Sequence, residues 1–540
     1  MQNAADTGLQ RELDVEVQNH IGNVERLIER AERAADKEPL EIATGADPAS
    51  APPLERAMNR RSFVRGGATL FGTAAIAGSL SMLMTRQARA QGIRSATQVP
   101  CPYGTPVPTL DEVTGLPLIA LPPGFRYWSH GWTGDPILPD LPKLATPPLH
   151  DGMAVLKQAG GLAILCRNHE AAIGPAFING SLRYSPGAAG GNTNLIFDTK
   201  NREWVAAFPT LSGTVRNCSG GPTPQNTWLS CEESLDTTAG TFKHGWCYEV
   251  PAVGTSDALP IRGMGRRSHE ACAVDPHSGI VYLTEDATPG GIYRFHPVNR
   301  RKYQRGGWLE MLRIKGMPNA NLRGPNPLGG GGAPYPVPVG VPLEVEWVPI
   351  EDPENLTHPS NVSQGLALGG ADFRRPEGIW YGHGAFYFVS TDGGSAAQGQ
   401  VFQLCIENGY ETLTLLYDSP NPDALDNPDN LTVTPRGALM FCEDNSGDPA
   451  HTLDGFSTER LVVLTNEGKV FTFANNLLNF SASGLGQYMR PSNPVVFNGN
   501  FRAQEWAGAT FDKTGRWLFA NVQTPGVTFA ITGPWQYGPI

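Results

Sequence analysis

One spacing recurs down the chain. An acid or a thiol opens a short apolar run, a turn follows, a β-rich run returns, and another acid ends it about fifteen residues later. The clearest copies span residues 217–233, 268–286, 375–392 and 428–444, and weaker ones span 150–170 and 505–523. Turns such as Asp275-Pro276-His277-Ser278-Gly279 separate runs such as Ile280-Val281-Tyr282-Leu283, in which β-branched and aromatic residues suit a pleated surface. Strand pairs with polar ends, repeated at about 40–50 residues, are the mark of propeller blades that close radially. The expected fold is therefore all-β, a six-bladed β-propeller with loop insertions, with five and seven blades as the alternative counts. Such a ring aims one end of every unit at a common point.

The chain ahead of the repeats has another character. Arg60-Arg61-Ser62-Phe63 opens a Gly/Ala-diluted apolar run from Gly66 to Met84, and Ala88-Arg89-Ala90 offers small-residue cleavage. This is the pattern of a twin-arginine export signal, too short and glycine-diluted for a spanning helix. It makes the twin-arginine machinery a partner, places the mature protein in the periplasm or outside the cell, and predicts no stable membrane anchor. Residues 1–90 form this leader, and 91–540 form one propeller domain with an insertion at about 301–360. Val17, Ile21, Val24 and Ile28 are spaced for one apolar helix face ahead of the signal. Either translation starts at Met58, or this is a long leader that a chaperone holds until folding ends. The Pro/Gly-rich stretch 91–145 is expected to wrap one face, and the stretch from Gly316 to Pro342, with its glycine run Gly329–Gly332, to form a lid or binding loop or else to be disordered.

The formal net charge is −11, with no Lys/Arg-rich block in the mature part, so nucleic acid is excluded as a partner. Eight carboxylates at the repeat ends stand to converge: Glu170, Glu233, Glu270, Glu285, Glu377, Asp429, Glu443 and Asp444. Like charges at close range cannot all ionise without cations. Oxygen donors favour Ca²⁺, while the thiol of Cys218, at a position that is acidic in other units, points to a transition metal. In an exported protein cysteines default to disulfides, so Cys218 has that alternative. Cys166, Cys231, Cys272 and Cys442 fit as small buried hydrophobes. His169 and His269, each preceding a glutamate, are expected to hydrogen-bond behind the ligands. Arg375, fixed beside Glu377 by Pro376, suits bidentate contact with an anion; Arg216 and Arg267 are weaker candidates. No Ser or Thr stands in a nucleophile-elbow motif.

At Asn168-His169-Glu170, Asn217-Cys218-Ser219-Gly220-Gly221, Ser268-His269-Glu270, Arg374-Arg375-Pro376-Glu377 and Pro428-Asp429-Asn430, the chain resembles the PhoX family of secreted bacterial alkaline phosphatases. The resemblance implies a six-bladed propeller holding two Fe³⁺ and three Ca²⁺ and acting on small phosphate esters. Cys218, Glu270 and Glu377 would bind iron, Arg375 would hold phosphate, and Glu170, Glu233 and the later acids would share calcium. Gln225 departs from the family, which is expected to carry an aromatic residue there, with consequences for specificity if that residue shapes the substrate rim. Two rival readings remain: a calcium-dependent lactonase or esterase propeller, and a non-catalytic propeller stapled by its metals.

Overall fold

The repeat unit folds back on itself at turns that its own side chains hold. In the third unit Asp275 Oδ1 accepts from His277 N–H at 2.9 Å. Gly279 supplies the left-handed residue (φ 77°) that returns the chain. The computed structural model describes residues 2–35 and 96–540, apart from 138–143, 179, 239–240, 325–336, 408, 446–450, 454 and 491–492. The twin-arginine segment and the glycine run lie outside the described residues.

The six units are six antiparallel blades whose innermost strands are His150–Ala159, Asn217–Pro222, His269–Val274, Pro376–Gly382, Pro428–Val433 and Trp506–Phe511. Each inner strand packs on the next, and the sixth packs on the first, so the ring closes. The stretch before the first blade does more than wrap a face. Its strand Arg126–His130 pairs with Val527–Thr532 as the outer strand of blade six. Ile119–Leu121 and Val107–Thr109 extend blade five. Sequence-distant strands thereby latch the last two blades and cover edges. Within the stretch expected as an insertion, Gly307–Ile314 is the outer strand of blade three, and Pro342–Ile350 bridges it to the outer strand of blade four.

The core is divided between blades rather than central. Trp128, Phe197, Trp517 and Phe519 fill one such layer, and Phe373, Phe388 and Phe402 another. The helix Gln2–Ala35 buries Val17, Ile21, Val24 and Ile28 in the first layer, as their spacing predicts, and Glu32 pairs with Lys157 of blade one at 2.7 Å. No helix among the described residues is long and apolar enough to cross a membrane.

Candidate metal centre and anion site

One backbone device repeats in all six blades and builds the site. The residue just before each inner strand (Leu149, Arg216, Ser268, Arg375, Asn427, Glu505) accepts from the N–H of the residue just after the second strand (Glu170, Glu233, Asp286, Thr391, Asp444, Gln523). Leu149, Arg216, Arg375 and Asn427 hold φ between 44° and 54° to do so, a region costly for non-glycine residues and concentrated at functional sites. In all six blades a β-bulge follows in the inner strand, between His150/Met153, Asn217/Gly220, His269/Cys272, Pro376/Ile379, Pro428/Leu431 and Ala507/Thr510. Bulges re-aim side chains. The second residues of these strands are Asp151, Cys218, Glu270, Glu377, Asp429 and Ala507. Glycine follows Asp151 and Glu377 because the next inner strand is so close. A Cβ on Gly152 would meet Ser219 Cα at 2.5 Å, and one on Gly378 would meet Asp429 O at 2.7 Å.

Two rings of side chains thus meet at one mouth of the channel. Potential ligand atoms gather in three linked groups: Asp151, Glu170 and Cys218; Cys218, Glu233 and Glu270; Glu270, Glu377 and Asp429. Within each group these atoms lie within 4.8 Å of one another. Burial, reinforced by facing carboxylates, pushes Asp151, Glu270, Glu377 and Asp429 well above the ordinary carboxylate range. Burial does the same to Glu233, whose carboxyl shares a hydrogen bond with Asp286, and to Glu505. The Cys218 thiol is also pushed up, first by burial and then by Asp151 and Glu270. Both oxygens of Asp151 and Oε2 of Glu270 are buried without a hydrogen-bond partner. Such orphaned carboxylates around a buried thiol fit a set of metal ligands, because cations both satisfy the oxygens and let them ionise.

Two arginines straddle the acids at equivalent places. Arg216 reaches Glu170 and Glu233, each at 2.6 Å. Arg375 reaches Asp286 at 2.9 Å and Glu377 at 2.7 Å. Their side chains are 44% and 40% exposed, so both guanidiniums face the mouth. Asn168 anchors the Cys218 strand from behind, donating to the carbonyls of Cys218 (3.1 Å) and Ser219 (2.7 Å).

Two expected ligands stand elsewhere. Glu285 hydrogen-bonds Tyr293, and Glu443 pairs with the fully buried Arg460. Each ends a second strand, and alternation along a strand turns it away from the face that the next residue presents. Asp286 and Asp444 take those places. Glu232 behaves likewise, bound to His244 at 2.6 Å. Asp151, Asp286 and Glu505 were not among the expected ligands, although all three lie in the repeated segments. Their signal was the blade register itself. His169 bonds Pro148 O and Thr193 Oγ1 rather than a ligand carboxylate. Arg267 is buried over the Tyr293 ring, not at the mouth. Gln225 sits in the turn joining the blade-two strands, at the end remote from the acids, beside Tyr303 Oη at 3.3 Å. It therefore does not shape the rim at this mouth. None of the eight cysteines is in a disulfide.

The family profile described as "Alkaline phosphatase PhoX" matches residues 103–526. Among solved structures, the chain is similar to the Pseudomonas fluorescens PhoX solved in complex with vanadate, a transition-state analogue. The TM-score is 0.56 at 16% identity, over 81% of this chain and 98% of that one. It also matches the gluconolactonase XC5397 of Xanthomonas campestris (TM-score 0.31, 14% identity, 69% and 90% covered). A third match is the WD40 propeller domain of Doa1 (TM-score 0.33, 7% identity, 72% and 95% covered). A search of curated proteins finds no match.

Proposed function

Because the chain belongs to the alkaline phosphatase PhoX family, we propose that it hydrolyses small phosphate monoesters outside the cytoplasm, at a mixed iron and calcium centre, and so supplies the cell with phosphate. One observation carries the reading: buried, partly orphaned carboxylates surround a buried thiol and are flanked by two half-exposed arginines. Cys218, Glu270 and Glu377 would hold iron. Asp151, Glu170, Glu233, Asp286, Asp429 and Asp444 would share calcium. When bound, the ions supply Lewis acidity and neutralise charge on the phosphoryl oxygens.

The chain's own groups do the rest. Arg375 is engaged with Asp286 and Glu377. With those carboxylates engaged as metal ligands, its planar guanidinium would be free for bidentate contact with a phosphate dianion. Arg216 stands ready in the same way across the mouth. Asn168 keeps the Cys218 strand in place by donating to the carbonyls of Cys218 and Ser219. Export in folded form through the twin-arginine route rests on Arg60-Arg61 and agrees with a centre assembled from all parts of the chain.

The deciding experiment measures hydrolysis of p-nitrophenyl phosphate and of a γ-lactone by metal-replete protein, with elemental analysis and visible absorption. Turnover of the phosphate ester is expected, together with an iron–thiolate absorption band that Cys218→Ser bleaches as it abolishes activity. A colourless, iron-free protein that opens the lactone and spares the phosphate ester would sink the reading.

A further inference from the structure

Behind the acids lies a second cluster of metal-ligating atoms that the proposed reaction does not use. Cys231 and Cys247 face each other across the second and third strands of blade two. Their sulfurs are 3.5 Å apart. Cys247 Sγ lies 3.4 Å from His269 Nδ1, on the inner strand of blade three. The three ligand atoms fall within 4.8 Å of one another, and all three residues have no exposed surface. Cys272, also fully buried and on the same strand as His269, hydrogen-bonds the Cys231 sulfur.

The imidazole is already oriented. His269 Nε2 sits 2.9 Å from Gly265 O. A carbonyl can only accept, so Nε2 carries the proton and Nδ1 turns its lone pair to the sulfurs. A backbone carbonyl fixing the far nitrogen is the usual support of a metal-bound histidine. The spacings agree as well. A disulfide needs about 2.05 Å between sulfurs. Tetrahedral zinc, with bonds of about 2.3 Å to sulfur and about 2.0 Å to nitrogen, sets ligand edges of roughly 3.5–3.8 Å.

We propose that Cys231, Cys247 and His269 form a structural site for a soft divalent ion, zinc by its donor set, with Cys272 as the adjacent thiol that would complete it, and that the site staples blade two to blade three. The site is distinct from the acidic mouth, although it shares strands with it. Successive strand residues point to opposite faces. His269 thus belongs to the staple, whereas Glu270 faces the acids. Cys218 and Glu270 come from the same two blades, so the staple fixes the distance between them.

The test uses the full chain carrying Cys218→Ala, which removes the only thiol at the mouth. About one equivalent of zinc that survives a chelator wash is expected. Cobalt in its place should give an intense thiolate charge-transfer band, and adding Cys247→Ala should remove both. If that double variant fails to fold, zinc-edge X-ray absorption of the unsubstituted protein decides, with a shell of sulfur at about 2.3 Å expected. Zinc surrounded by oxygen alone, no zinc, or a Cys231–Cys247 disulfide found by peptide mapping would each overturn the proposal.

Discussion

Arg375 shows how much a single backbone dihedral can decide. At φ 44° it leaves the region open to most side chains, and Pro376 then restricts it from the other side. That geometry swings the guanidinium over Asp286 and Glu377. Arg375→Ala should keep the metal content yet slow phosphate-ester hydrolysis by roughly 10²-fold, the scale of losing one charge-stabilising donor. Inhibition by inorganic phosphate should weaken in parallel; unchanged rate and inhibition would make Arg375 a mere surface residue. Neighbouring acids part company in the same way. Asp286→Asn should lower calcium content and activity. Glu285→Gln should chiefly lower thermal stability, because Glu285 is a buried partner of Tyr293. Equal effects of the two on metal content would refute this assignment. Which member of the Glu285-Asp286 and Glu443-Asp444 pairs faces the mouth was not legible in the sequence. Both are acids, and only the point at which the strand ends separates them.

At the scale of elements, the blades were legible because turn chemistry and period-2 patterning agree in every unit. The pairing of residues 126–130 with 527–532 was not, since no local pattern records which distant edge a lone strand covers. The six bulges were equally hidden, being defined by register against a partner. The N-terminal helix was visible as an apolar stripe, but its docking site was not. That docking is close: a Cβ on Gly160 of blade one would meet Ala31 O at 2.2 Å. In the full chain, Val24→Asp would bury a charge without a partner and weaken docking by about 2–4 kcal/mol. Hydrogen exchange of residues 13–35 should then accelerate by roughly 30-fold or more, since about 2 kcal/mol shifts a two-state ratio that far. Blade amides should stay protected. Helix exchange as slow as in the unsubstituted chain would mean that this face contributes nothing.

The whole molecule is a ring whose centre repels itself. Asp151, Glu233, Glu270, Glu377, Asp429 and Glu505 are all pushed up by burial, and Glu459 is raised to about 9. A carboxyl raised in the folded state holds its proton more tightly there than in the unfolded chain. Its contribution is complete below the unfolded value near 4 and is lost as pH climbs through the folded value, because in that window the unfolded chain binds fewer protons. The metal-stripped protein should therefore lose stability steadily from about pH 4 upward, with the loss continuing to about 9 through Glu459. Bound cations reverse the situation. They favour the ionised carboxylates and bind only the native ring, so they stabilise it by mass action. The gap in melting temperature between metal-loaded and chelator-treated protein should widen as pH rises from 5 to 9. A metal-stripped protein equally stable at both ends of that range would show that the acids ionise freely in water, and that the ring needs no cation to close.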